Sequence, residues 1–247
     1  MRLHRFIADA DLSQNPFYIL DRNLSDQIRK VLRLKIGDEV IISDGKLNEA
    51  RVEISGWSDE SISFKVLERF QNTAEPSKEI ILYCSVLKRD NFELVVQKCT
   101  ELGVGKIVPI VTRRTVKQNI RIDRLEKIAR EASEQSGRGV VPEIHDIIKF
   151  EDAVVGAKNE TNLFFDIIGE SVSNLKLKTI PIRKSESRIL DKVGKNLKLN
   201  CWVGPEGGWD ESEIKLARDA GFKIVKLSDL TLRAETAAIV ATYVAIS

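Results

Sequence analysis

Apolar and polar positions alternate with two different periods along the chain, and the period changes near residue 75. Before that point the pattern is one of short, half-buried strands, whose successive side chains point to opposite faces. Glu39–Ser43 and Glu49–Ile54 are β-rich runs on either side of Asp44-Gly45, a hairpin turn signal. Ser61–Leu67 sets Ile62, Phe64 and Val66 against polar neighbours, which predicts another strand. A short helix is predicted from Ser25, with Ile28, Val31 and Leu32 on one face. Gln71–Lys78 is polar and contains Pro76, so it reads as a linker. Residues 1–72 are therefore expected to form a small β-barrel-like domain, and residues 73–247 a second domain.

From Glu79 strands alternate with helices. Ile80–Leu87, Lys106–Val111, Asn162–Ile168, Leu199–Val203 and Lys223–Leu227 are predicted strands. Helices are predicted from Asn91 to Gly103, over Ile122–Ser136 with Gly137 as its C-cap, and from about Ala234 to the end. Asp210-Glu211-Ser212-Glu213 has the spacing of a capping box, whose helix should stop at Gly221. Such alternation predicts an α/β domain with a mainly parallel sheet covered on both faces. Ile180–Lys195 is polar and fits no period.

Composition narrows this picture. With 43% hydrophobic and 31% charged residues in 247, the chain can bury a core and reads as soluble and globular. A net charge of +2 implies no general affinity for polyanions, so basic residues must act locally. Lys106 to Arg138 holds nine Lys or Arg against four Asp or Glu. Arg113, Arg114, Lys117, Arg121, Arg124, Lys127, Arg130 and Arg138 can form a basic face for RNA phosphates, or an ordinary solvated helix surface. The first seventy-five residues carry eleven basic and thirteen acidic residues, so any RNA reading there must use shape and a few placed side chains. The N-terminus shows no signal-peptide run and no apolar stretch reaches bilayer length, so no membrane partner is expected. Cys84, Cys99 and Cys201 are far apart and form no C-x-x-C pair, so each is expected to be a buried small residue in a reducing cytoplasm, with no metal site.

Two loops carry the candidate chemistry. Val203-Gly204-Pro205-Glu206-Gly207-Gly208-Trp209 ends a strand in a glycine-rich turn before a capped helix. Such a turn lets a ligand approach the backbone closely, and in an open parallel sheet ligands sit beyond the strands' carboxyl ends. It also reads as a plain strand-to-helix turn. It is neither a G-x-G-x-x-G fingerprint nor a P-loop, which weighs against a nucleotide-dependent enzyme. Leu227-Ser228-Asp229-Leu230-Thr231-Leu232-Arg233-Ala234-Glu235-Thr236-Ala237 repeats the strand–loop–helix plan. Arg233 and Glu235 at its helix start read either as a site pair or as a surface ion pair of little energetic weight.

Together, Gly204–Gly208 as GPEGG and Leu232–Ala237 as LR-x-ETA about twenty-five residues on resemble the small-subunit (16S) ribosomal RNA uracil-N3 methyltransferases of the SPOUT superfamily. His4-Arg5-Phe6, Val31-Leu32-Arg33-Leu34, Lys88, Asp90 and Glu93, Lys98–Val104, and Glu131–Ser136 with Arg138 and Pro142 extend the resemblance in order along the chain. The family usually has glycine and arginine where this chain has Ser228 and Leu230. The resemblance implies a PUA-like β-barrel for RNA recognition, then a SPOUT-type α/β domain with a trefoil knot. It implies S-adenosylmethionine as cofactor, bound by Phe165, Val203, Gly204, Pro205, Glu206, Gly207, Gly208, Leu227, Ser228, Thr231, Leu232, Arg233 and Thr236. The implied reaction methylates N3 of a small-subunit uridine, U1498 in the family, with Arg233 stabilising charge and Glu206 or Glu235 as candidate bases. Arg5, Arg33, Arg113, Arg114, Lys117, Arg124 and Arg138 are the implied RNA contacts. Implied partners are ribosomal RNA, alone or in the assembled 30S particle, and a second copy in a cytoplasmic homodimer. The competing reading is a non-catalytic ribosomal-RNA-binding or assembly protein with a decayed methyltransferase domain, which the changes at Ser228 and Leu230 favour and the intact GPEGG and LR-x-ETA oppose.

Overall fold

A computed structural model describes residues 3–172 and 198–247 apart from 59, 89, 117 and 118. Lys117 and the segment Ile180–Lys195 therefore lie outside or within gaps of the described residues. The chain divides into two compact units, Met1–Glu75 with Ser133–Val141, and Pro76–Ala132 with Pro142–Ser247.

The first unit is a five-stranded sheet in the order β1-β3-β4-β5-β2. Its strands are β1 (His4–Ile7), β2 (Phe17–Ile19), β3 (Glu39–Ser43), β4 (Asn48–Trp57) and β5 (Ile62–Gln71). Only β1 and β3 pair in parallel; the remaining ladders are antiparallel. The hairpin forms at Asp44-Gly45, where the Asp44 carboxylate accepts from the amides of Lys46 (2.7 Å) and Asn48 (3.1 Å). Val40, Ile42, Val52, Ile54, Ile62 and Phe64 build the core under one face. Helix α1 (Arg22–Asp26) begins before Ser25, because Asp21 caps it by accepting from the amides of Asn23 and Leu24. It continues as a π-turn, Gln27–Val31, whose wider winding shifts the side-chain phase. Ile28 is buried as expected, but Val31 is 72% exposed and leaves the apolar face.

Residues Ser133–Val141 belong to this unit through specific bonds. Glu134 Oε1 accepts from the Ile7 amide (2.9 Å), Gly139 O accepts from the Leu47 amide (3.1 Å), and Asn72 Nδ2 donates to Gly137 O (2.9 Å).

The second unit is a seven-stranded, all-parallel sheet in the order β12-β10-β11-β6-β7-β8, with β9 also on β7. Its strands are β6 (Glu79–Ser85), β7 (Lys106–Val111), β8 (Glu143–Ile144), β9 (Ile148–Lys149), β10 (Thr161–Ser171), β11 (Lys198–Val203) and β12 (Lys223–Lys226). Its helices are α2 (Asn91–Leu102), α3 (Ile122–Ser136, whose last turn joins the first unit), α4 (Phe150–Ala157), α5 (Glu211–Asp219) and α6 (Ala234–Ile246). Aromatic rings fill one side of the sheet: Tyr83 stacks on Trp202 at 3.9 Å, and Phe150, Phe164, Trp209 and Phe222 close around them. No helix among the described residues is long and apolar enough to cross a membrane.

The three cysteines are free and buried. Burial pushes the Cys99 thiol up to about 12 and raises Cys84 and Cys201 as well, so the reactive thiolate is scarce below that range. Native protein at pH 8 is expected to leave all three unlabelled by a thiol reagent, and denatured protein to label all three. A thiol that reacts rapidly in the native state would contradict this packing.

Candidate active site

The strand order reverses at β6. From there the chain builds β7, β8 and β9 on one side, and places β11, β10 and β12 on the other. Ligands in open parallel sheets bind at the carboxyl ends of strands where the order reverses. A cleft of about 850 Å³ lies there, within the range of about 300–1,000 Å³ usual for small-molecule sites. Its walls are the ends of β10, β11 and β12 with the loops that leave them, completed by Asn91, Arg114, Glu211, Ile214 and the start of α6.

The glycine loop forms the floor. Gly204 permits close packing, since a Cβ there would lie 2.9 Å from the Trp209 indole. Trp209 is itself fixed, donating from Nε1 to the carbonyl of Phe165 (2.9 Å) and lying 4.2 Å from the Phe164 ring. Gly208 has φ +69°, left-handed backbone that glycine adopts without strain, and its amide donates to Pro205 O (2.9 Å). Glu206 Oε1 accepts from the Lys88 amide at 2.7 Å, tying the loop to the chain beyond β6. The predicted capping box is present: Asp210 and Glu213 bond reciprocally at the start of α5. The hydrogen bonds from Ser212 hold the Asp210 carboxyl below its ordinary range, with Arg113 and Arg114 adding charge.

The second loop supplies a wall. Lys226 pairs with Asp229 (2.5 Å) and Ser228 Oγ accepts from the Leu230 amide (3.1 Å), so the loop closes on its own side chains. Leu230 is 76% exposed at the rim. Arg233 occupies the N-cap position of α6, and its side chain makes no hydrogen bond or ion pair with the described residues. Glu235 lines the cleft, with Asn91 Nδ2 3.5 Å from its Oε2. Thr236, expected among the cofactor contacts, lies exposed on α6 and does not line the cleft.

The third wall comes from β10. Its register on β12 shifts between Phe165 and Glu170, which pushes Asp166, Ile167 and Ile168 out of the ladder and into the cleft lining. Of the residues expected to bind a cofactor, Phe165, Val203, Gly204, Pro205, Glu206, Gly207, Gly208, Leu227, Ser228, Thr231, Leu232 and Arg233 all line this one cleft. Asn162–Asp166 is the stretch expected to form this wall, and sequence reasoning missed its continuation through Ile167 and Ile168, since a break in register leaves no mark in a strand's composition. It also missed Asn91 and Arg114 as walls, although Asn91 opens α2 beyond β6 and Arg114 lies in the turn after β7, both past the carboxyl ends of neighbouring strands.

The basic residues divide. Arg113 and Arg114 are exposed in the turn after β7, and Arg124 is held by Glu93 (2.7 Å) on α2. Arg33 is exposed in the first unit, at a positive φ of 54°. Arg5 and Arg138 are placed otherwise than expected for phosphate contacts. Arg5 pairs with the buried carboxylate of Glu49, and Arg138, 6% exposed, pairs with Glu75 (2.8 Å). The buried Glu49 carboxylate needs a cationic partner, which Arg5 supplies, and Arg138 is buried against the half-buried Glu75 within the same unit.

Comparison with known proteins agrees with this arrangement. The RNA methyltransferase domain family matches residues 74–246, and the RNA methyltransferase PUA domain family matches residues 28–67. The ribosomal RNA small subunit methyltransferase E of Rickettsia conorii is 29% identical over 98% of this chain and 94% of its own length. That of Aquifex aeolicus is 30% identical over 85% of this chain and 86% of its own. The solved structure of the Neisseria gonorrhoeae ribosomal RNA small subunit methyltransferase E bound to S-adenosyl methionine is 26% identical, with a TM-score of 0.84 over 98% of this chain and 95% of that one.

Proposed function

The chain belongs to the ribosomal RNA small subunit methyltransferase E family, and from that premise we propose that it transfers a methyl group from S-adenosylmethionine to small-subunit ribosomal RNA. The observation that carries this reading is the single cleft that gathers the glycine loop, the end of β10 and the LR-x-ETA segment at adjacent strand ends. Its chemistry fits the cofactor: Phe165, Val203, Leu227 and Leu232 offer an apolar slot for a flat heterocycle. The side of Gly208 where a Cβ would stand is open, with no atom within 4 Å, so a ligand can lie against the loop's backbone.

S-adenosylmethionine, when bound, supplies a methyl carbon already activated by its sulfonium sulfur. The chain's share of the work is then to position the partners, exclude water and manage charge. The finer target is N3 of a uridine, the family's U1498. That nitrogen loses a proton as it gains the methyl group, and the Arg233 guanidinium at the helix start, unpaired among the described residues, stabilises the negative charge spreading onto the uracil oxygens. Glu235, facing the cleft beside Asn91, accepts the proton. Glu206 has a carboxylate oxygen committed to the Lys88 amide and braces the loop instead. Glu235→Gln is therefore expected to lower kcat by about 100-fold or more with little change in cofactor affinity, in the range usual for general-base loss. Equal turnover of variant and wild type would remove Glu235 from this role.

Of the arginines expected at RNA, Arg33 and Arg113 are exposed and remain for phosphate, since Arg5, Arg124 and Arg138 pair with Glu49, Glu93 and Glu75. The functional unit is a cytoplasmic homodimer, with a trefoil knot in the second unit. Mass mapping of ribosomal RNA from a deletion strain tests the whole reading. Loss of one small-subunit methyluridine, restored by the wild-type chain, is the expected result; an unchanged map contradicts it.

A further inference from the structure

We propose that Arg114 is a positioning residue that locks the orientation of the Gly207–Gly208 peptide, and through it the cofactor floor; this rests on the reading of the cleft as a cofactor site. The turn that carries Arg114 is set in the core. Thr115 Oγ1 receives the Thr112 amide (2.9 Å) and bonds the hydroxyls of Thr112 and Ser85 (both 2.8 Å), with all three residues buried. The adjoining Arg113 amide donates to Glu213 Oε1 (2.8 Å), while Glu213 Oε2 receives the Asp210 amide (2.8 Å). Glu213 is 2% exposed, so one buried carboxylate ties the β7 turn to the exit of the glycine loop.

From this anchored turn Arg114 reaches across the loop. Its Nη1 donates to Gly207 O at 3.0 Å, and its Nη2 lies 3.6 Å from Asp210 Oδ2. The other end of the same peptide is also held, since the Gly208 N–H donates to Pro205 O. A peptide between two glycines rotates with little steric resistance, and Gly208 already sits at positive φ. Pinned at its carbonyl by Arg114 and at its amide by Pro205, this peptide keeps one face toward the cleft. Without Arg114 only the bond from the Gly208 amide to Pro205 O resists its turning over, which would expose a different dipole to the ligand. Arg114 is accordingly spent on the loop, not on an RNA phosphate.

Arg114→Ala and Arg114→Lys test this with three readouts on the full chain. In ligand-free protein, hydrogen exchange at the Gly208 amide is expected to rise about 10-fold or more in the alanine variant, as for loss of local protection. Exchange within β11 should stay unchanged, and lysine should restore part of the protection, since it supplies one donor in place of a fork. S-adenosylmethionine Kd is expected to rise about 10-fold, the scale of one charge-assisted hydrogen bond. The salt dependence of RNA binding should not move, whereas a lost phosphate contact would reduce its slope by about 0.7 to 0.9. Unchanged exchange at Gly208 overturns the proposal, whatever the cofactor does. Lost protection with an unchanged Kd overturns the link to the cofactor. Because exchange is read without ligand, a wild-type chain that bound no S-adenosylmethionine would sink the functional reading, while the locking of the peptide would still be decided.

Discussion

Arg233→Ala is expected to lower kcat by about 100- to 1,000-fold, the usual cost of removing one preorganised donor from a developing negative charge. The expectation follows from what Arg233 does not do. It lines the cleft yet makes no ion pair or hydrogen bond with the described residues, so neither fold nor loop geometry depends on its guanidinium. It stands at the N-terminus of α6, where the helix dipole also favours negative charge. Single-turnover methyl transfer at saturating cofactor measures the effect, alongside the affinity for S-adenosylmethionine. Lysine should recover part of the rate by restoring the charge without the planar fork. A variant that loses affinity and keeps its saturated rate would make Arg233 a cofactor ligand only.

Gly204→Ala is the second large effect, and its cause is space, not backbone conformation. The added methyl would lie 2.9 Å from Trp209 Cε2 and 3.0 Å from Nε1. The indole has nowhere to go: it is 5% exposed, packs on Phe164 and Phe150, and donates to Phe165 O. Overpacking of this kind costs about 1–3 kcal/mol. Relief can come only from the loop, which must lift from the strand end and carry Pro205–Gly208 with it. A lower melting temperature and at least about a 10-fold weaker S-adenosylmethionine Kd, equivalent to about 1.4 kcal/mol, are expected together. Wild-type affinity in the alanine variant would mean that the cofactor does not rest on this loop.

Strands β6, β7, β10 and β11 and helices α2, α3, α5 and α6 were legible because each is long enough to show its period. The capping box at Asp210 and the turn at Asp44-Gly45 were legible because their side chains act locally, on amides two to four residues away. What escaped notice was short or non-local. β1, β2, β8 and β9 span two to four residues each, too few to display alternation. The π-turn that frees Val31 from the core adds a phase shift no helical period anticipates. Attachment of Ser133–Val141 to the first unit depends on Glu134, Gly137 and Gly139 meeting residues more than sixty positions away. The same holds for Arg138: its charge was visible, but its partner Glu75 was not. At the cleft, the glycine loop and the LR-x-ETA loop were both found from sequence, while Arg114 was assigned to RNA because its contact with Gly207 spans ninety-three positions.

Titration of the folded wild-type chain with S-adenosylmethionine tests the central claim most directly. One molecule taken up per chain, with uptake weakened in Gly204→Ala, is the predicted result. Folded protein that takes up none would contradict it and leave a ribosomal-RNA-binding protein whose methyltransferase unit has lost its chemistry.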